Sequence, residues 1–337
     1  MSEIETITSA PKSKSLLKRM IPGLILGFLV LVALSLVGDL KQVGGLLIHF
    51  NWWMFPLALC FTLFNYSLRF LKWHFYLRQI GIRTIPWQRS LRLFVAGFPL
   101  AVTPGKAGEV FKAVWLKHYG GVSVGRGVSV VVAERVSDGL AVLMLSILGV
   151  IAYPQYWLAF AIILAVLLGA IILSQIRPAA LWLLALGEHI PIFCRYVHDL
   201  REFYEGSFAV FRPGTTLIAV GLGTVSWLGE GIGFYFLLLG LGIQPSSHLL
   251  ALAIFILAFS TIVGSVTALP GGLGASEASI AGMLVYLAGL DAPLAAAATL
   301  LIRLATLWFG VALGLFTWTF SADLLGLQEE NGTYSKS

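Results

Sequence analysis

The chain has 337 residues, 58% of them hydrophobic and 11% charged, with a formal net charge of +6 and a mean hydropathy of +0.90. A soluble domain carries about 25% charged residues, so this composition excludes one and points to a membrane protein. Lys and Arg cluster at the ends of apolar runs, as the positive-inside rule requires, and this argues against a nucleic-acid surface. Two distant cysteines, Cys60 and Cys194, and six scattered histidines fit no redox or metal spacing. No metal or cofactor is expected.

Residues 1–19 read as a cytoplasmic tail carrying Lys12, Lys14, Lys18 and Arg19. The apolar run at about 20–38 lacks a small-residue cleavage site, so it reads as a first spanning helix rather than a signal peptide. An external loop with Asp39 and Lys41 follows. A second span covers about 52–76 and ends in Lys72, Arg78, Arg83 and Arg89 on the cytoplasmic side. Residues 88–102 and 109–119 flank a break from Thr103 to Gly108, and the second run carries Lys112 and Lys117. At about 1.5 Å per residue neither run can cross a bilayer, which predicts a re-entrant hairpin from the cytoplasm.

Spans three and four are expected at about 124–150 and 155–176, followed by a basic cytoplasmic, interfacial stretch at 178–212. A fifth span covers 213–240. A second hairpin, with arms 247–266 and 275–289, surrounds Pro270, and a sixth span covers 292–320. Residues 321–337 form a cytoplasmic tail. Of 22 Lys and Arg, only Lys41 falls in an external loop. Lys106, Arg135 and Arg303 lie at membrane depth, Arg69 lies near the end of its span, and the rest lie on the cytoplasmic side.

The expected fold is therefore an all-α polytopic membrane protein with six spanning helices, two re-entrant hairpins, and both termini inside. It forms a single integral domain, 20–320, with halves 52–150 and 213–320 linked by 151–212. An odd number of crossings separates the hairpins, so they enter from opposite faces as an inverted repeat, an architecture used for alternating access.

Both hairpins carry one pattern. The first break reads Pro104-Gly105-Lys106-Ala107-Gly108-Glu109, with Arg135 lying 26 residues after the glutamate. The second runs from Pro270-Gly271-Gly272 through Gly274 to Glu277, with Arg303 again 26 residues on and the whole displaced by 168 residues. Backbone N–H groups at such a break attract anions, and guanidinium forks match phosphate. Arg135, Arg303, Lys106, Gly105, Gly271 and Gly272 are thus candidate substrate contacts.

Each buried charge has a plainer reading beside that one. Glu134 and Asp138 flank Arg135, and Asp138 is placed three residues on to pair with it. Arg303 has no acid in its own helix, which leaves Glu277 or Glu230 as its partner. Glu109 and Glu277 can cap the helices that begin near 107 and 274. Lys106 can meet a headgroup or snorkel to the surface. Glu230, between Gly229 and Gly231, is either a proton-coupling carboxylate or the partner of Arg303.

At TPGKAGEVFKAVWLK (103–117), AERVSDG (133–139), LPGGLGASEAS (269–279) and LLIRLATLWFG (300–310) the chain resembles the transmembrane domain of the lysylphosphatidylglycerol synthase family, also described as flippase-like or YbhN-like. LRFLKWHFYLRQIG (68–81) adds a weaker match. The resemblance implies a multi-pass protein of a prokaryotic cytoplasmic membrane that translocates an anionic lipid or a polyprenyl-phosphate-type carrier. It places Glu109, Glu134, Arg135, Glu277 and Arg303 at motif positions. No soluble synthase domain follows the sixth span, so a lipid-aminoacylating enzyme is not expected. Two other readings stand beside transport: an intramembrane glycosyl- or acyltransferase, and a non-catalytic partner of a cytoplasmic lipid-modifying enzyme.

Overall fold

Backbone N–H and C=O groups that find no water in lipid must be satisfied within the chain, and among the described residues the protein is helical with no strand. The computed structural model describes residues 21–27, 29, 30, 32, 39–103, 108–152, 157–178, 197–267 and 269–321. Residues 21–27 are helical. The helices then follow as α1 (Leu40–His49), α2 (Met54–Gln79), α3 (Trp87–Ala96), α4 (Phe111–Gly120), α5 (Val124–Ala152), α6 (Trp157–Gln175) and α7 (Val197–Val210). The second part comprises α8 (Pro213–Gly240), α9 (Ser247–Val266), α10 (Ala275–Ala288), α11 (Ala292–Arg303) and α12 (Phe309–Phe320). Two short 3-10 turns, Phe98–Val102 and Pro270–Gly272, lead into the breaks.

Among the described residues, four rods are long and apolar enough to cross a membrane: α2, α8, α9 and the 292–320 rod formed by α11 and α12. Their ends follow local chemistry. Pro213 opens α8 where a helix needs no N–H donor, and the Ser246 hydroxyl accepts the Leu249 N–H to cap α9. Gly121 and Gly289 close α4 and α10 in the left-handed conformation.

Two departures from the sequence reading stand out. The external loop expected around Lys41 is instead the helix α1, capped by the Asp39 carboxylate on the Lys41 N–H at 3.1 Å and packed on α11. The 292–320 rod is also interrupted, because residues Leu304–Trp308 form one π-helical turn directly after Arg303. Such turns disturb the regular hydrogen-bond ladder and recur at functional sites. Here Tyr66 donates its hydroxyl to the Thr306 carbonyl at 2.7 Å.

The packing pairs off between the parts on either side of the 151–212 linker. Helix α2 lies along α8, and the two short 3-10 turns touch. Helix α9 packs on α5 as α3 packs on α12, while α4 rests on α5 as α10 rests on α11. A large apolar core joins α2, α8, α9, α10 and α11, and a second joins the C-terminal half of α2 to α3, α4 and α5.

Candidate functional site

The second break is shaped by glycine. Gly271, Gly272 and Gly274 have φ of +61°, +68° and +86°, a region that strains any residue bearing a Cβ. The chain can therefore leave α9 and start α10 at Ala275 in a short space. Glu277, in the first turn of α10, folds back so that Oε2 accepts the Gly274 N–H at 2.7 Å. That satisfies a donor the helix start would otherwise leave orphaned. Its Oε1 meets Arg303 Nε at 2.5 Å, and Arg303 donates a second N–H to the Gly271 carbonyl at 3.1 Å. One arginine thereby ties α11 to both sides of the break.

The first break is held differently. Thr103 donates its hydroxyl to the Leu100 carbonyl at 2.6 Å and accepts the Gly108 N–H at 2.8 Å, bridging the turn. Gly105 and Lys106 lie outside the described residues. Glu109 pairs with Arg135 Nε at 3.2 Å. The 26-residue spacing thus has a physical meaning in both copies: each break glutamate reaches the arginine of the next long helix. The pairs differ in exposure, since Arg135 leaves 35% of its side chain accessible and Arg303 leaves 12%.

This corrects two sequence expectations. Arg135 does not pair with Asp138; the Asp138 carboxylate is held by the Lys72 ammonium and by Arg69 at 3.5 Å. Glu134 is held by Lys112 at 3.4 Å. Lys72 and Lys112, placed by the charge rule on the cytoplasmic side, are instead buried. A lysine near a helix end ordinarily snorkels to water, but here a carboxylate on α5 gives each ammonium an internal partner. The Lys112 ammonium also lies 5.2 Å from the Trp73 ring, a cation–π distance.

Glu230 is not the ion-pair partner of Arg303, because Glu277 fills that place. Its Oε2 accepts the Asn65 amide at 2.9 Å, and Asn65 also donates to the Ser226 carbonyl at 3.1 Å. Ser226 returns a hydroxyl to the Asn65 carbonyl at 3.2 Å, closing the contact between α2 and α8. Arg69 lies 5.8 Å over the Trp227 ring. Asn65 and Tyr66 were missed as site residues in the sequence, and Lys72 and Lys112 were seen there only as topology markers. The available signal was the spacing of Asn65, Arg69 and Lys72, four and then three residues apart, which puts a polar stripe on one face of an otherwise apolar helix.

Taken together, the described interior holds cations from α2, α4, α5 and α11 against carboxylates from α5, α8, α10 and the segment before α4. Carboxylates rather than backbone alone occupy the arginines.

The profile of the lysylphosphatidylglycerol synthase TM region matches residues 23–314. Among curated relatives, a UPF0104 membrane protein of Methanothermobacter thermautotrophicus is 26% identical over 81% of this chain and 85% of its own length. A second from that organism is 26% identical over 73% and 78%. One from Methanocaldococcus jannaschii is 25% identical over 68% and 94%. The chain belongs to the lysylphosphatidylglycerol synthase TM family and, like these archaeal relatives, is a multi-pass membrane protein.

Proposed function

We propose that the protein is a flippase-like transporter that moves an anionic lipid, or a polyprenyl-phosphate-type carrier, across the cytoplasmic membrane by alternating access. On this reading α2–α5 and α8–α12 are two inverted halves, the segments around the breaks are re-entrant, and six helices span with both termini inside. The reciprocal packing of α3 on α12 and of α9 on α5 supports that arrangement, because such exchanged contacts are what a pseudo-two-fold axis produces. The single observation that carries the function is Arg303. It joins a glycine break, a helix start and the π-turn in one place, so an anion that takes this guanidinium also releases the break. Coupling of ligand binding to movement follows directly, since a ligand shifts a conformational balance only through contacts that differ between the two states.

The reading favours transport over intramembrane catalysis, because the buried charged groups of the described interior are each held by another protein group. The test is headgroup translocation by the full chain reconstituted in vesicles, with Arg135→Ala and Arg303→Ala measured beside wild type. Loss in Arg303→Ala and reduction in Arg135→Ala are expected. Wild-type rates in both variants would overturn the site.

A further inference from the structure

Glu230 stands apart from the two glutamate–arginine pairs at the breaks, yet it is a buried carboxylate midway along α8, 6% exposed. Its flanking glycines bring neighbouring helices close. A Cβ on Gly229 would meet Phe64 at 2.8 Å, and one on Gly231 would meet Ile254 at 2.9 Å. The described hydrogen bond to Glu230 comes from a neutral amide, Asn65. Among the described residues, Glu109, Glu134, Asp138 and Glu277 each hold a cation within ion-pair distance instead. The charged and titratable groups that face Glu230 are Tyr66 and Arg69 from α2, Asp138 from α5 and Arg303 from α11. Helix α9 adds none beyond His248 in its first turn. Both nearby cations are already engaged, Arg69 by Asp138 and Arg303 by Glu277.

Charge balance makes this arrangement consequential. The first half contributes Arg69, Lys72, Lys112 and Arg135 against Glu109, Glu134 and Asp138, a surplus of one positive charge. The second contributes Arg303 against Glu230 and Glu277, a surplus of one negative charge. The described interior is therefore neutral, and Glu230 is the carboxylate that balances the other half across the contact between α2 and α8. A monoanionic headgroup entering this low-dielectric interior would add an uncompensated charge, which is costly.

We propose that Glu230 is a proton-coupling carboxylate, taking up one proton from water as an anionic phosphate headgroup binds, so that lipid and proton move together. This rests on the lipid-transport reading above. The chemistry is a single protonation: an O–H bond forms on the carboxylate, nothing is oxidised or reduced, and the interior gains the positive charge that the headgroup then neutralises. The Asn65 amide can donate to either form of the acid. Exchange of Glu277 for the headgroup at Arg303 leaves the number of charges in the interior unchanged, so the proton rather than a rearranged ion pair supplies the compensating charge.

The experiment titrates the detergent-solubilised full chain with dihexanoylphosphatidylglycerol in weakly buffered medium containing a pH indicator, with binding followed calorimetrically. Wild type should take up about one proton per lipid bound, and its affinity should fall about tenfold per pH unit above the titration range, as linkage requires. Glu230→Gln should bind without proton uptake and with a flat pH profile, while Glu230→Asp should restore the uptake. Binding by wild type with no proton taken up overturns this proposal alone and leaves the transport reading standing. Absence of binding overturns both. Unchanged uptake in Glu230→Gln also overturns it, by placing the proton elsewhere. If Glu230→Gln fails to fold, the wild-type proton count and the Glu230→Asp profile decide. Inorganic phosphate run in parallel separates headgroup from free phosphate: uptake with both supports the proposal with phosphate alone as trigger, and uptake with the lipid only supports it with the whole headgroup.

Discussion

The two halves contain the same glutamate–arginine unit in different surroundings. In the first half the Glu109–Arg135 pair is one of four ion pairs, with Lys112–Glu134 and the Lys72–Asp138–Arg69 group beside it. In the second half, among the described residues, Glu277–Arg303 is the one ion pair at the break, tied to the backbone at Gly271 and Gly274. A buried pair adds little stability by itself, but removing one member leaves a charge without a partner. The difference teaches that the first half distributes its charge over a network, whereas the second concentrates structure and charge in one arginine.

That contrast can be broken by mutation. The largest effect is expected from Arg303→Ala. It should abolish translocation and cost about 3–5 kcal/mol of stability, because Glu277 is left buried and unpaired. Arg135→Ala should cost less, about 1–2 kcal/mol, since the Arg135 side chain is three times as exposed as Arg303 and its attraction to Glu109 is more screened by solvent. Thermal unfolding of the two variants in one detergent checks the order, and equal losses would remove the asymmetry.

Lys72→Met tests the network side of the comparison. Arg69 remains beside Asp138, so the loss should be about 2 kcal/mol rather than the full cost of a stranded carboxylate. Adding Arg69→Met should then cost more than the sum of the single variants, as groups sharing a partner do not act additively.

Gly264→Ala sharpens the comparison at the second break. A Cβ there would collide with the Ser276 hydroxyl and crowd Gly272, so overpacking of about 1–3 kcal/mol is expected. The same assay reads it, together with slowed translocation if the break must move. The smallest effect belongs to Tyr66→Phe. It removes the hydroxyl from the Thr306 carbonyl at the π-turn, for about 1 kcal/mol.

Much of the fold was legible in the sequence. The ends of α8 at 213 and 240, and of α9 at 247 and 266, coincide with the reading because proline, glycine and serine mark them. The sequence also carried the repeated glutamate–arginine spacing and offered Glu277 as one of two partners for Arg303, although it did not pair Glu109 with Arg135. Other features were hidden for physical reasons. Helix α1 contains Gly44 and Gly45 and has only ten residues, so its pattern resembled a loop. The π-turn has no signature in an unbroken apolar run. The burial of Lys72 and Lys112 was hidden because a charge rule sees helix ends, not the carboxylates that a neighbouring helix brings to them.

The central claim is that Arg303 is an anion-binding residue as well as a lock on the break. Arg303→Lys separates these roles, because lysine keeps the charge for Glu277 but loses the planar fork that matches phosphate. The decisive measurement is the rate of headgroup-labelled phosphatidylglycerol translocation in reconstituted vesicles, with thermal stability measured on the same preparation. A folded Arg303→Lys protein within about 1 kcal/mol of wild type, translocating at least about tenfold more slowly, is the predicted result. Wild-type translocation by that variant would contradict the account.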